Sequence, residues 1–319
     1  MIVWILVEQG LTGTLSQCQG VADALGVTPI IKHFTLKQPW KALAPYINCG
    51  VGNGFEGDEL KAPWPDLLIA GGRKAAGLAL WIKRASKGQT FVTYLQDPRV
   101  HRAEFDLIAI PAHDPGRGDN VVVTTAAPNK ITPARLAAAE AKWAASFSKL
   151  PHPRVAVLVG GNSRAYRMNG KVAGALGDNL KRIARERTAG LMVTTSRRTG
   201  AYNQSILEAW LEGTGAYIWS GMGDNPYEGF LALADAIIVS SDSVSMMSEA
   251  ATTGKPVYRV DLEGGSHRFD AFHKLMEDKG IVRPFRGQIE SWSYIPLNDA
   301  TIVAQAITAR MNQKTLKAA

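Results

Sequence analysis

Three short polar segments in the second half of the chain carry residue types suited to holding an anion. The first is Gly160-Gly161-Asn162-Ser163-Arg164-Ala165-Tyr166-Arg167. Glycines let backbone N–H groups approach an anion, Asn162 and Ser163 add hydrogen bonds, and two arginines add charge. An ordinary strand-to-helix turn with exposed arginines has the same composition. The second is Thr194-Thr195-Ser196-Arg197-Arg198-Thr199, hydroxyls beside two arginines. Guanidinium suits bidentate phosphate contact better than an ammonium does, although a solvated basic loop reads alike. The third is Ser240-Ser241-Asp242-Ser243-Val244-Ser245 running into Met246-Met247-Ser248-Glu249. A hydroxyl-rich helix start is an anion site, because its first N–H groups are unpaired and the helix dipole adds positive potential. Glu249 lies four residues after Ser245, on the same helical face, where a carboxylate can take two hydroxyls of a ribose. Helix capping by Asp242 or Ser243 accounts for the loop but not for Glu249, which lies beyond the third helical position used in a capping box.

The first half offers Gln9-Gly10-Leu11-Thr12-Gly13-Thr14 and Gln96-Asp97-Pro98-Arg99. Asp97 has the chemistry of a general base. A turn with an Asp cap and Pro98 fixing φ is the competing explanation.

Several chemistries have no carrier. Gly254-Lys255 is followed by Pro256 rather than Ser or Thr, so the P-loop pattern fails. No G-x-G-x-x-G follows an expected strand, which argues against a standard dinucleotide site. Gly161-Asn162-Ser163-Arg164-Ala165 lacks the last glycine of a nucleophile elbow. The six histidines form no clear ligand spacing, so no protein-held metal and no tightly bound cofactor is expected.

These segments need elements to position them. Residues 2–7, 67–70, 90–95, 107–110 and 121–124 read as strands in the first half, with helices at 16–25 and 73–86. An Ala-rich helix at 134–148 leads to Pro151-His152-Pro153, where two prolines stop a helix and mark a boundary. The second half restarts with strand 154–159, then strands 190–194, 216–219, 236–240 and 256–260, each separated by a helix-length segment. Such alternation means βαβ units and parallel sheets. The expected fold is α/β, with two Rossmann-like, doubly wound domains over 1–150 and 151–319 facing across a cleft. Ligands in such sheets sit beyond the carboxyl ends of the strands, where all the segments above fall.

At 319 residues, 46% apolar and 20% charged, the chain is neither disordered nor a disulfide miniprotein. Its net charge of +8 favours an anionic partner without choosing one. Two cysteines, Cys18 and Cys49, fit a reducing compartment. No apolar run is long enough to span a bilayer, so a cytoplasmic protein is expected, at most peripheral on a membrane. Leu36, Trp40, Leu43, Ala44 and Ile47 share a helical face flanked by Lys37 and Lys41. That face could rest on a membrane surface, although a core-facing helix gives the same stripe.

The stretches Val157–Ser163, Thr195–Thr199, Gly223-Asp224-Asn225-Pro226-Tyr227 and Ser241–Ala250 together resemble the mitochondrial fission factor family named for elongated mitochondria, which includes bacterial members. The resemblance covers nearly the whole chain. It implies the fold of GT-B glycosyltransferases, with the C-terminal helix near 299–311 packing back on the first domain. It also implies a nucleoside diphosphate or nucleotide sugar as ligand, with Ser243, Ser245 and Met246 meeting phosphate and Glu249 the ribose. Nucleic acid is not expected as a partner. On this resemblance the chain is a metal-independent glycosyltransferase-like or nucleotide-sugar-binding protein, with Gln9, Gly10, Thr12, Gly13, Gln96 and Asp97 on the acceptor side. The alternative is a non-catalytic adaptor that binds another protein, the role of eukaryotic members. Bacterial members have also carried the label of nucleoside-diphosphate-sugar epimerase, against which the missing glycine fingerprint speaks.

Overall fold

The computed structural model describes residues 1–46, 50–219 and 221–318. Ile47 and Cys49 lie outside the described residues. In chain order the first elements are β1 (Val3–Glu8), α1 (Thr12–Ala24), β2 (Ile30–Leu36), α2 (Trp40–Leu43), β3 (Phe55–Gly57), β4 (Leu67–Gly71), α3 (Ala75–Ala85), β5 (Phe91–Leu95), β6 (Leu107–Pro111) and β7 (Val121–Thr124). Then come α4 (Pro133–Phe147), β8 (Arg154–Val159), β9 (Tyr166–Arg167), α5 (Gly170–Glu186), β10 (Gly190–Thr195), α6 (Ala201–Leu211), β11 (Tyr217–Trp219) and α7 (Tyr227–Leu233). The chain closes with β12 (Ala236–Ser240), α8 (Val244–Thr252), β13 (Val257–Val260), β14 (Glu263–Gly264), α9 (His267–Asp278), β15 (Val282–Pro284) and α10 (Asp299–Ala318).

Two compact units result: Met1–Lys130 with Asn298–Ala319, and Ile131–Leu297. The first holds a seven-stranded sheet of order β3-β2-β1-β4-β5-β6-β7, parallel except for β2 against β3. The second holds a six-stranded parallel sheet of order β11-β10-β8-β12-β13-β15. Both are Rossmann-like, and the chain has a GT-B-like fold.

The apolar runs form central strands because both sheet faces are covered. In β1, Trp4 and Leu6 join one core with Leu78 and Ile82 of α3. Val3, Ile5 and Val7 join the other, with Cys18 and Val21 of α1 and Val303 and Ile307 of α10. Alternation with period two thus produces a continuous apolar run in sequence. The last helix belongs to the first unit. Its Asp299 carboxylate accepts hydrogen bonds from Thr125 N at 2.8 Å and Ala126 N at 2.9 Å.

The division between units falls at Lys130/Ile131, not at 150/151. The reason is α4. Its Phe147 packs edge-on against Tyr217 and Phe230, and its Trp143 sits where a side chain at Gly229 would be. Pro151 and Pro153 end that helix's connection without marking the boundary.

The apolar stripe at 36–47 is divided in the structure. Among the described residues there, only Trp40–Leu43 is helical. Leu36 and Ala44 are buried, and Trp40 packs on the first unit's core over Gly54. Leu36, Trp40 and Ala44 of the stripe therefore face the core, while Leu43 is exposed. Among the described residues, no helix is long and apolar enough to cross a membrane.

Candidate functional site

In the second unit the chain runs from β8 to β10 and β11 on one side, then returns to β12 on the other side of β8. The strand order therefore reverses between β8 and β12, and the loops leaving these two strands flank the crevice where α/β sheets take ligands. Loop 160–163 follows β8, loop 241–243 follows β12, and loop 196–199 follows β10. The structure brings all three second-unit segments to one sheet edge.

Their mutual contacts overturn part of the sequence reading. Gly160 N donates to Ser240 Oγ at 2.7 Å, and Gly161 N donates to Asp242 Oδ2 at 3.1 Å. Asn162 N donates to the Arg198 carbonyl at 2.8 Å, and Ser163 N to the Tyr166 carbonyl at 2.9 Å. Every N–H of the glycine loop is therefore spent within the protein. The loop is not a backbone cradle for an anion. Its glycines serve close approach instead: a Cβ at Gly160 would strike the Asp242 carboxylate, and one at Gly161 would strike the Arg198 carbonyl. The side chains are engaged as well. Asn162 Oδ1 accepts from Met168 N at 2.9 Å, and Ser163 Oγ from Tyr166 N at 3.1 Å. Ser196 Oγ donates to the Gly160 carbonyl at 2.8 Å.

Asp242 is the hub of this lattice. Its Oδ1 accepts from Ser240 Oγ at 2.7 Å, and its Oδ2 pairs with Arg198 Nη2 at 2.8 Å. A carboxylate committed to these donors braces the loops and repels a phosphate. Asp242 is thus engaged within the protein, while Arg198, paired to it through Nη2, keeps a side chain that is 41% exposed. The neighbouring arginines differ. Arg164 and Arg197 are exposed, and among the described residues neither has an ion-pair partner.

Helix α8 starts between these loops. Ser243 is its N-cap, with Oγ accepting from Met246 N at 3.3 Å, so Ser243, not Asp242, does the capping. Among the described residues the N–H groups of Val244 and Ser245 make no backbone hydrogen bond, as expected for a helix's first turn. Ser245 and Met246 are half-buried beside them. One turn further, the buried Glu249 accepts a 2.5 Å hydrogen bond at Oε2 from the Tyr227 hydroxyl. Burial and the adjacent Glu249 charge push the Tyr227 phenol well above its ordinary pKa, so it remains the donor.

Two further features were not legible in sequence. Lys255 Nζ donates to the carbonyls of Leu231, at 2.8 Å, and Ala232, closing the C-terminus of α7 rather than meeting a ligand. Burial lowers its pKa to about 8. His273 of α9 is buried, and its Nε2 has no hydrogen-bond partner among the described residues. Its pKa falls to about 4, through burial first and then the Arg259 charge. Histidine composition alone gave no signal for it, because its burial and the nearby Arg259 charge arise only in the folded chain.

In the first unit, Gln9, Gly10, Thr12 and Gly13 follow β1, and Gln96 and Asp97 follow β5, with β4 between these strands. Gln96 Nε2 donates to Gln17 Oε1 at 3.2 Å, and Gly10 has φ +83° at the turn into α1. Asp97 does not have the character of a general base. Arg102 reaches both its oxygens, Nε to Oδ1 at 2.9 Å and Nη2 to Oδ2 at 2.5 Å, and Arg99 N adds a third bond at 2.8 Å. Burial alone would raise this carboxyl, but these donors outweigh it and hold the pKa below the usual value.

A family model described as "Mitochondrial fission ELM1" matches residues 12–311. The Arabidopsis thaliana protein titled "Mitochondrial fission protein ELM1" is 35% identical over 279 residues, covering 77% of this chain and 65% of that protein. The chain thus spans just under two thirds of that relative's length. An uncharacterized protein of Rickettsia prowazekii (strain Madrid E) is 28% identical, covering 96% of this chain and 98% of its own. Among solved structures, the UDP-GlcNAc 2-epimerase of Methanocaldococcus jannaschii in complex with UDP-GlcNAc and UDP is similar at a TM-score of 0.54, with 12% identity, 97% of this chain and 99% of that chain covered.

Proposed function

This chain belongs to the mitochondrial fission ELM1 family, and from that premise we propose that its second unit binds a nucleoside diphosphate, delivered as a nucleotide sugar, at the start of α8. The observation that carries the reading is the arrangement around that helix start. Open N–H groups at Val244 and Ser245 lie next to loops bearing the uncommitted Arg164 and Arg197. Glu249 follows about 6 Å further along the helix axis, a span that suits a ribose next to a diphosphate. The solved epimerase of the same fold is in complex with UDP-GlcNAc and UDP, which supports testing uridine nucleotides first. Calorimetry with UDP, GDP, ADP and CDP and their sugars is the direct test. Absence of binding to all of them overturns the reading.

For the bound nucleotide sugar, metal-independent glycosyl transfer is the enzymatic reading, and epimerisation would use the same donor site. Product analysis of an incubated donor separates the two. The commitment of Asp97 to Arg102 favours a second reading, an adaptor that keeps the nucleotide site without turnover and binds another protein. Nucleotide binding with no donor hydrolysis, transfer or epimerisation is the result that selects it.

A further inference from the structure

The two outer strands of the second sheet are not alike. β15 carries Arg283 and Pro284, a charge and a residue without an N–H, which are the devices that keep a sheet edge from pairing. β11 consists of Tyr217, Ile218 and Trp219 and pairs with β10 alone. All three residues are half-buried, and neither a charge nor a proline guards the outer edge. Backbone N–H and C=O groups along such an edge are a template for one more strand.

Beside that edge runs a groove of about 630 Å³, lined by Glu208, Ala209, Glu212, Gly213, Ala216 and Ile218 among others. Helix α6 forms one wall. Its Tyr202 lies against Gly170 and its Trp210 against Gly177 of α5. The face bearing Ser205, Glu208, Ala209 and Glu212, three and four positions apart, therefore turns away from α5 and is exposed. Small residues leave room for a main chain to approach: a Cβ at Gly213 or Gly215 meets nothing within 4 Å. The groove is acidic on a chain whose net charge is +8. Glu208 accepts from the Gln204 amide at 2.9 Å, and among the described residues neither Glu208 nor Glu212 has an ion-pair partner. The last turn of α6 holds no basic residue, so the negative end of its dipole adds to the two carboxylates.

We propose that this groove takes an extended, basic segment of a partner protein, added as a strand along β11 with its lysines or arginines on Glu208 and Glu212. The open strand edge calls for an extended main chain, and the carboxylates call for cationic side chains on the one face of that strand that meets α6. A second copy of this chain pairing β11 with β11 brings no such charge, because Tyr217, Ile218 and Trp219 carry none. The groove lies at the amino end of β11, whereas the nucleotide reading concerns the carboxyl ends of β8, β10 and β12. The inference therefore does not rest on nucleotide binding, and it gives the adaptor reading a surface and a partner chemistry.

The test titrates the full chain with a capped nine-residue peptide of alternating lysine and valine, read by fluorescence anisotropy. Saturable one-to-one binding is expected, with amide exchange slowed in β11. The double variant Glu208→Lys/Glu212→Lys weakens binding about tenfold or more, while its melting temperature stays within about 1 °C, as for surface substitutions. A peptide with glutamate in place of lysine does not bind. Alternate residues of an added strand face β11, so N-methylation of one alternate set, lysines or valines, abolishes binding and methylation of the other set spares it. Tolerance of both methylated peptides, equal affinity of wild type and double variant, or no saturation at about 1 mM peptide overturns the proposal. Self-association of the wild type through the same amides, seen by sedimentation, makes a second copy the occupant and overturns it too. None of these failures touches the nucleotide reading.

Discussion

The Asp242 carboxylate is wholly buried and sits 2.8 Å from the Arg198 guanidinium, whose side chain is 41% exposed. An arginine that sequence places with the phosphate ligands therefore already pairs, through Nη2, with an anion the protein supplies itself. The same carboxylate receives Gly161 N–H and Ser240 O–H, so one acidic group closes three loops. A glycine N–H, a hydroxyl and a guanidinium make an anion site, and Asp242 occupies it.

Asp242→Ala removes the acceptor and leaves these donors without a partner. The expected cost is about 2–3 kcal/mol of stability, as for buried hydrogen-bonding groups deprived of their mate. Denaturant unfolding measures it. Because the vacated site still favours an anion, formate or phosphate at tens of millimolar raises the melting temperature of the variant more than that of the wild type. Equal salt responses would show that the three donors do not form an anion site.

Arg197 and Arg198 are adjacent in sequence and opposite in role. Arg197→Ala weakens nucleoside diphosphate binding and leaves the melting temperature within about 1 °C, as for a surface substitution. Arg198→Ala lowers the melting temperature by several degrees through the loss of its bond to Asp242. Calorimetry and thermal unfolding of the two variants side by side decide this, and reversed effects would refute the assignment.

The His273 ring gives stability a pH dependence with a definite sign. Its folded-state pKa is about 4, against about 6.5 for an exposed histidine. Below pH 6.5 the unfolded chain takes up a proton that the folded chain refuses. The stabilisation is complete above that value and is lost as pH falls to about 4, by about 3 kcal/mol at one pKa unit per 1.36 kcal/mol. The wild type should lose more stability between pH 7 and 4.5 than His273→Gln does. Parallel pH curves for the two proteins would count against a neutral buried ring.

Asp97→Asn tests the loss of its general-base role. If donor hydrolysis is present, the variant retains it within about twofold, because a base would cost at least a hundredfold. A hundredfold loss, with pyrophosphate binding intact, would restore Asp97 to the catalytic machinery.

Asp299→Ala detaches the start of α10 from the β7 end by removing the acceptor for Thr125 N and Ala126 N. About 1–3 kcal/mol of local stability is lost. Hydrogen exchange should rise in α10 and in the strands it covers, notably at Val303 and Ile307, while the second unit is unaffected.

Sequence by itself determined the layered α/β class and the places where polar groups gather. The runs at β1, β4, β5, β8 and β12 are apolar at most consecutive positions because both sheet faces are buried, and that is a local signal. The helix start at Ser243 and the carboxylate one turn later are local too, since 3.6 residues per turn puts Ser245 and Glu249 on one face. β2 escaped notice for the same kind of reason. Its Lys32, His33 and Thr35 are only partly buried, so it lacks the continuous apolar run.

Tertiary structure alone decided how those polar groups are spent. Gly160 meets Ser240 80 positions away, and Arg198 meets Asp242 across another loop. No local pattern distinguishes an arginine that faces a carboxylate from its neighbour that faces solvent. The division at Lys130 is likewise a long-range matter, because α4 is claimed by aromatic partners at Tyr217 and Phe230. Hydrogen-bonding groups are satisfied by whatever donor or acceptor the fold brings within about 3 Å. The chemistry of a loop is therefore written in its residues, but its availability to a ligand depends on neighbours that only folding assembles.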